Sequence, residues 1–343
     1  MAEERRLTAA KQHPGSAASF FGQAVPKIIA AEGVDAVRRF IEFFTANIRN
    51  KNTRAAYVQA VGQFCRWCNR RRFSLELIEP IAVAAYIEEL GKIRSKPTVK
   101  QHLAAIRMLF DWLVVGQILP GNPASFVRGP AHVVKRGKTP VLSADDARKL
   151  LDSIPLTRTI LRAGREIKVA DIVGLRDRAL IAVMVYSFAR VSAVVGMNVE
   201  DYYQNGKRSW LRLHEKGGKF HEVPAHHNAE AYLDEYLEAL PGPKEKKSPL
   251  FRSARGKVGV LTEQRTSRTD VLRMIKRRAR AAGLSATTSC HTFRATGITA
   301  YLENGGTIEN AQAIAGHESP RTTKLYDRTD DEVTLDEIER IRI

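Results

Sequence analysis

Residues 291–328 read HTFRATGITAYLENGGTIENAQAIAGHESPRTTKLYDR, and their punctuation predicts a run of helices. A first helix ends at Gly305 and a second at Gly316, since glycine adopts the left-handed cap that other residues avoid. Ser319-Pro320 then starts a third, because proline lacks only an N–H that a first helical turn leaves unpaired anyway. His291 and Arg294 lie three apart and share a helix face. His317 follows the Gly316 stop, and Tyr326 closes the segment. Singly, each has a plain explanation. An H-x-x-R pair is common, a histidine at a helix end is often a cap, and a helical tyrosine is more often half-buried packing than a nucleophile.

Upstream, LRDRALIAVMVYSFARVSAVVGMNVEDY (175–202) is apolar on nearly all sides, as a central core helix would be. Arg190 interrupts it. A buried guanidinium is costly unless something anionic meets it. No acid lies within one helical turn. Glu200 or Asp201 could pair with it from beyond the helix, or a phosphate could arrive from outside, which suits arginine's forked donors. Next, SWLRLHEKGGKFHEVPA (209–225) predicts strands at 210–213 and 220–223 around a tight Gly217-Gly218 turn. Lys216 and Lys219 flank that turn. A surface hairpin lysine is ordinarily just solvated.

The N-terminal half is helical. NKNTRAAYVQAVGQFCRWCNRRR places Tyr57, Val61, Phe64, Cys65 and Cys68 at helical spacing, with Thr53 as the expected N-cap. A second helix starts near Pro80. A third carries Val99, Leu103, Ile106, Phe110 and Leu113 in one stripe and ends at Gly116. The C-R-W-C pair has no second pair to complete a zinc site and fits core packing. The segment 128–141 is rich in Pro, Gly and basic residues and reads as a linker before an N-cap at Ser143.

The chain has 343 residues, enough for two domains, and 44% hydrophobic residues, enough for real cores. Lys and Arg number 55 against 37 Asp and Glu, for a net charge of +18. That excess implies a polyanionic partner. Because residues 330–339 are strongly acidic, the remainder is more basic still. No run of about 18 apolar residues could span a bilayer, and the first residues lack a secretory core. A membrane partner is therefore not expected, and the expected location is cytoplasmic.

Taken together and in order, Arg190, the hairpin Lys216, His291-x-x-Arg294, Gly316-His317 and Tyr326 resemble the signature of the tyrosine recombinase, or phage integrase, family. The matching segments are LRDRALIAVMVYSFARVSAVVGM, EKGGKFHEVP, HTFRATGITAYL and IAGHESPRTTKLYDR. They cover about 140 to 330. The helical first half resembles the family's core-binding domain less specifically. Two departures stand out. Ala193 occupies a position where the family often has an acid, and His221 one where it commonly has a basic residue.

The resemblance implies a mainly α fold: a SAM-like helical core-binding domain, and a mostly α catalytic domain with a small antiparallel sheet, forming a C-shaped clamp on DNA. The implied organisation is an N-terminal arm (1–34), a core-binding domain (35–127), a basic linker (128–141), a catalytic domain (142–328) and a tail (329–343) that docks on a neighbouring protomer. It implies a site-specific DNA recombinase working through a 3′-phosphotyrosyl intermediate and a Holliday junction, as in integration, excision or resolution. Arg190 and Arg294 would neutralise the pentacoordinate phosphorus. Tyr326 would attack; a free phenol titrates near pH 10, so it needs a base, for which His291 suits. His317 would hydrogen-bond the phosphate, and Lys216 would protonate the leaving 5′ oxygen. No cofactor, ATP or metal is called for. The partners expected are duplex DNA with inverted repeats, a homotetramer on two sites, and, in some systems, an accessory protein. Candidate DNA contacts are Lys51, Arg54, Lys96, Lys100, Arg107, Lys135, Arg136, Lys138, Lys219, Arg273, Lys276 and Arg277. Rival readings are a DNA binder that does not cut, a type IB topoisomerase or telomere resolvase using the same chemistry, and a basic scaffold unrelated to DNA.

Overall fold

A computed structural model describes residues 25–132, 137–215, 220–242, 244–256 and 258–327. The chain divides into two compact units, Met1–Val133 and Val134–Ile343. No helix among the described residues is long and apolar enough to cross a membrane.

The described part of the first unit is helical: Lys27–Ala30, Val34–Glu42, Lys51–Arg70, Pro80–Ile93 and Lys96–Val115. Local chemistry sets their ends. The cap expected at Thr53 falls instead on Asn50, whose side chain accepts from the N–H groups of Asn52 and Thr53 and so satisfies donors that have no carbonyl a turn earlier. Pro80 takes the first helical position. The stripe Val99, Leu103, Ile106, Phe110 and Leu113 is buried, together with Cys65 and Cys68. Ile28 and Ile29 are buried in the same core, so the last residues of the stretch assigned to the N-terminal arm pack on the first unit. Burying both removes about 3–6 kcal/mol worth of apolar surface from water.

The described part of the second unit combines helices with three small antiparallel sheets: β1 (Thr157–Arg162) with β2 (Arg165–Ala170), β3 (Tyr202–Asn205) with β4 (Arg208–His214) and β5 (Phe220–Pro224), and β6 (Arg252–Ala254) with β7 (Leu261–Arg265). The helix Ile172–Tyr186 lies at the centre, with Leu175, Ala179, Leu180, Ile181, Val183 and Met184 buried. It also carries Asp177, fully buried and bonded by Arg176 and by Arg278 at 2.8 Å. Arg278 thereby ties the basic helix Arg268–Ala281 to the core. The helix Cys290–Glu303 crosses the central helix closely at Gly297, where an added Cβ would run into the Val185 carbonyl and the Phe188 ring.

Candidate active site

The apolar segment around Arg190 is not one helix. It stops at Tyr186, and Val191 begins a separate short helix, Val191–Gly196, with Arg190 as its N-cap residue. The break is made by Phe188, whose φ of +54° is left-handed, a conformation that costs a Cβ-bearing residue about 1–2 kcal/mol. Its ring is buried and its carbonyl is used, so packing and hydrogen bonding offset that strain. The break lifts Arg190 out of the core, leaving its side chain 35% exposed. Its partner is neither Glu200 nor Asp201. Asp201 bonds His214 at 2.9 Å and accepts from the Asn198 N–H. The partner is Glu215, whose Oε2 lies 2.6 Å from Arg190 Nη1.

Arg294, on the helix Cys290–Glu303, is 1% exposed. Its two terminal nitrogens donate to the carbonyls of Phe188 and Ala315. Burial, then the like charge of Arg190, lowers its pKa to about 10, which keeps it charged at neutral pH. Its guanidinium also interacts with the Tyr326 phenol. His291, one turn earlier on the same helix, opens to solvent. Desolvation of its inner side, then Arg294 and Arg190, holds it below the usual histidine range, so it is neutral and able to accept a proton.

His317 follows Gly316, whose φ of +57° ends the helix Ile308–Ala315 as expected. The imidazole is 7% exposed and shares a 2.8 Å hydrogen bond between Nδ1 and Thr323 Oγ1. Burial, then Arg294 and Arg190, lowers its pKa to about 4. Tyr326 lies just past the helix Pro320–Lys324, its ring stacked on His317 at 5.9 Å and 9°. Its backbone is pinned: Thr299 Oγ1 donates to the Tyr326 carbonyl, and the Gly137 N–H donates to the Leu325 carbonyl. His221, on β5, bonds the Ile314 carbonyl at 2.8 Å through Nε2 and so ties the sheet to the His317 turn.

Five of the six residues singled out in the sequence thus gather in one place: Arg190, His291, Arg294, His317 and Tyr326. Lys216 and Lys219 lie outside the described residues, as do Lys135 and Arg136. Sequence reasoning missed Glu215. It adjoins Lys216 in EKGGK, and a carboxylate beside a candidate general acid was the available signal. Of the proposed DNA contacts, Lys51, Lys96, Lys100, Lys138, Arg273 and Arg277 are exposed. Arg107 donates to the Ala124 and Val127 carbonyls, Lys276 to the Ala286 carbonyl, and Arg54 to the Ile48 carbonyl at 2.9 Å, so these three have structural work of their own.

The profile of the phage integrase family matches residues 157–332, over half of the chain and all five gathered residues. The chain belongs to the phage integrase family. A second profile, the phage integrase N-terminal SAM-like domain, matches residues 34–118. Tyrosine recombinase XerC of Thermodesulfovibrio yellowstonii is 28% identical over 288 residues, 82% of this chain and 87% of that protein. The fold resembles XerH site-specific recombinase in a post-cleavage complex with a palindromic difH substrate (TM-score 0.65, 18% identity, 87% and 82% of the two chains). It also resembles a lambda integrase tetramer bound to a Holliday junction (TM-score 0.62, 18% identity, 97% and 88%). As in the expectation, this phage integrase is mostly helical with small antiparallel sheets.

The burial of a neutral histidine has a pH signature. The folded pKa of His317 lies below the ordinary value near 6.5, so the unfolded chain binds the proton more readily. The stability this group contributes is present above about pH 6.5 and is lost as pH falls toward 4, by ~3 kcal/mol in all. Urea unfolding at pH 7.5 and pH 4 should therefore show a smaller acid loss in His317→Gln than in the wild type. Equal losses in both would contradict a buried neutral imidazole.

Proposed function

We propose that this phage integrase is a site-specific recombinase that cuts and rejoins DNA with Tyr326 as nucleophile. The observation that carries the reading is the stacking of Tyr326 on a neutral His317 against the buried, charged Arg294, with Arg190 beside them. A scissile phosphate placed here meets two guanidiniums where its non-bridging oxygens gain charge in the transition state. The Tyr326 oxygen forms a bond to phosphorus while the bond to the 5′ oxygen breaks. His291 takes the phenol proton, and Lys216 supplies one to the leaving oxygen. In this reading Thr323 is the donor to Nδ1, so that His317 carries its proton on Nε2 and donates it in a hydrogen bond to a phosphate oxygen. The 3′-phosphotyrosyl link preserves the phosphodiester energy, so a 5′ hydroxyl from a partner strand can reverse the step.

The partners in this reading are duplex DNA with inverted repeats and further copies of the chain. The DNA-bound XerH complex and the lambda integrase tetramer on a Holliday junction support that assignment by likeness of fold. The DNA would be met in the cytoplasm.

The test lets the protein select its own target sequence. The protein is mixed with nicked duplexes made from the DNA around its own gene and from randomised sequence, then denatured, and DNA bound covalently to protein is sequenced. Enrichment of one inverted-repeat sequence is the expected result. DNA binding without any covalent product would turn the reading toward a binder that does not cut.

A further inference from the structure

We propose that Glu215 is a positioning residue for Arg190, holding its guanidinium in place for the phosphate. The proposal rests on the recombinase reading above. Arg190 stands among groups that repel or ignore its charge. Arg294 is a second guanidinium, and His291 and His317 are held neutral partly by Arg190 itself. Arg294 is fixed by two carbonyls of its own chain. Arg190 has no comparable support from its own helix. The third helical position, where an acid commonly reaches back to the cap residue, is Ala193, fully buried.

Among the described residues, Glu215 is the one carboxylate paired with Arg190. Its side chain is 10% exposed, the contact is 2.6 Å, and it comes from 25 residues farther along the chain. That geometry divides the guanidinium. One terminal nitrogen is engaged by the carboxylate, and among the described residues no other side chain is seen to take the remaining donors of the fork. The pair also has a second effect. Glu215 directly follows β4, so the ion pair ties Arg190 to the end of that strand.

The test uses the full-length protein and a suicide duplex bearing the captured site, which traps the cleaved strand on the protein. Single-turnover attachment rates and DNA affinity are measured for wild type, Glu215→Gln, Arg190→Ala and the double variant. Glu215→Gln should slow attachment by about 10- to 100-fold, as misplacing a reacting group does, with affinity within about 3-fold of wild type. The double variant should be no slower than Arg190→Ala, because a residue acting through Arg190 has nothing left to position once Arg190 is gone. If Glu215→Gln does not fold, Glu215→Asp is run through the same cycle.

Three results would overturn the proposal. Attachment at the wild-type rate means that Arg190 needs no support. Faster attachment means that Glu215 occupies the phosphate's place rather than preparing it. Fully additive losses mean that it acts independently of Arg190. In each case the wild type still attaches to DNA and the recombinase reading stands. Failure of the wild type itself to attach to any site overturns that reading, and this proposal with it.

Discussion

Replacing Tyr326 with phenylalanine is expected to abolish covalent attachment to DNA and leave DNA binding within about 2-fold of wild type. The substitution removes one oxygen and keeps the ring. The stack on His317 depends on the ring, and the backbone bonds from Thr299 and Gly137 involve carbonyl groups, so the segment should stay where it is. What disappears is the atom that would bond to phosphorus. The fall in attachment should exceed about 10⁴-fold, the scale seen when a nucleophile is removed. Attachment is read on a denaturing gel and affinity by band shift. A variant that still cleaves would place the nucleophile elsewhere.

Arg294 should give the next largest effect, and on two quantities at once. Arg294→Ala removes a buried charge from the proposed phosphate site, which should slow cleavage by about 10²–10³-fold. It also strands the carbonyls of Phe188 and Ala315 in the interior, at about 1–3 kcal/mol each. Arg294→Lys separates the two. The ammonium restores the charge but lacks the planar fork that serves both carbonyls, so cleavage should stay at least about 10-fold below wild type. Urea unfolding reads the stability and a suicide substrate the rate. A lysine variant that cleaves like wild type would mean that charge alone suffices there.

Much of this was legible in the sequence because the relevant signals are local. Gly316, Ser143 and Pro80 mark helix ends by backbone chemistry that no distant contact overrides. The apolar stripe from Val99 to Leu113 announces its own buried face. The pairing of β4 with β5 follows from alternation around two glycines. Other features were hidden for equally physical reasons. The hairpin Thr157–Ala170 turns through Ala163 and Gly164, both at positive φ (+50° and +75°). Alanine is a poor advertisement for a conformation usually signalled by asparagine. The break before Arg190 was missed because Phe188, a bulky apolar residue, takes the left-handed position where a glycine would have shown it. Glu215 was missed because its partner is brought to it by the tertiary fold. Helical spacing looks for an acid one turn away, whereas the acid that serves Arg190 comes from the end of a strand.

The hydrogen bond from the Gly137 N–H to the Leu325 carbonyl has a topological consequence. It brings the first and last described stretches of the second unit together one residue before Tyr326. The described part of that unit is therefore a nearly closed ring of polypeptide, fastened beside the proposed nucleophile.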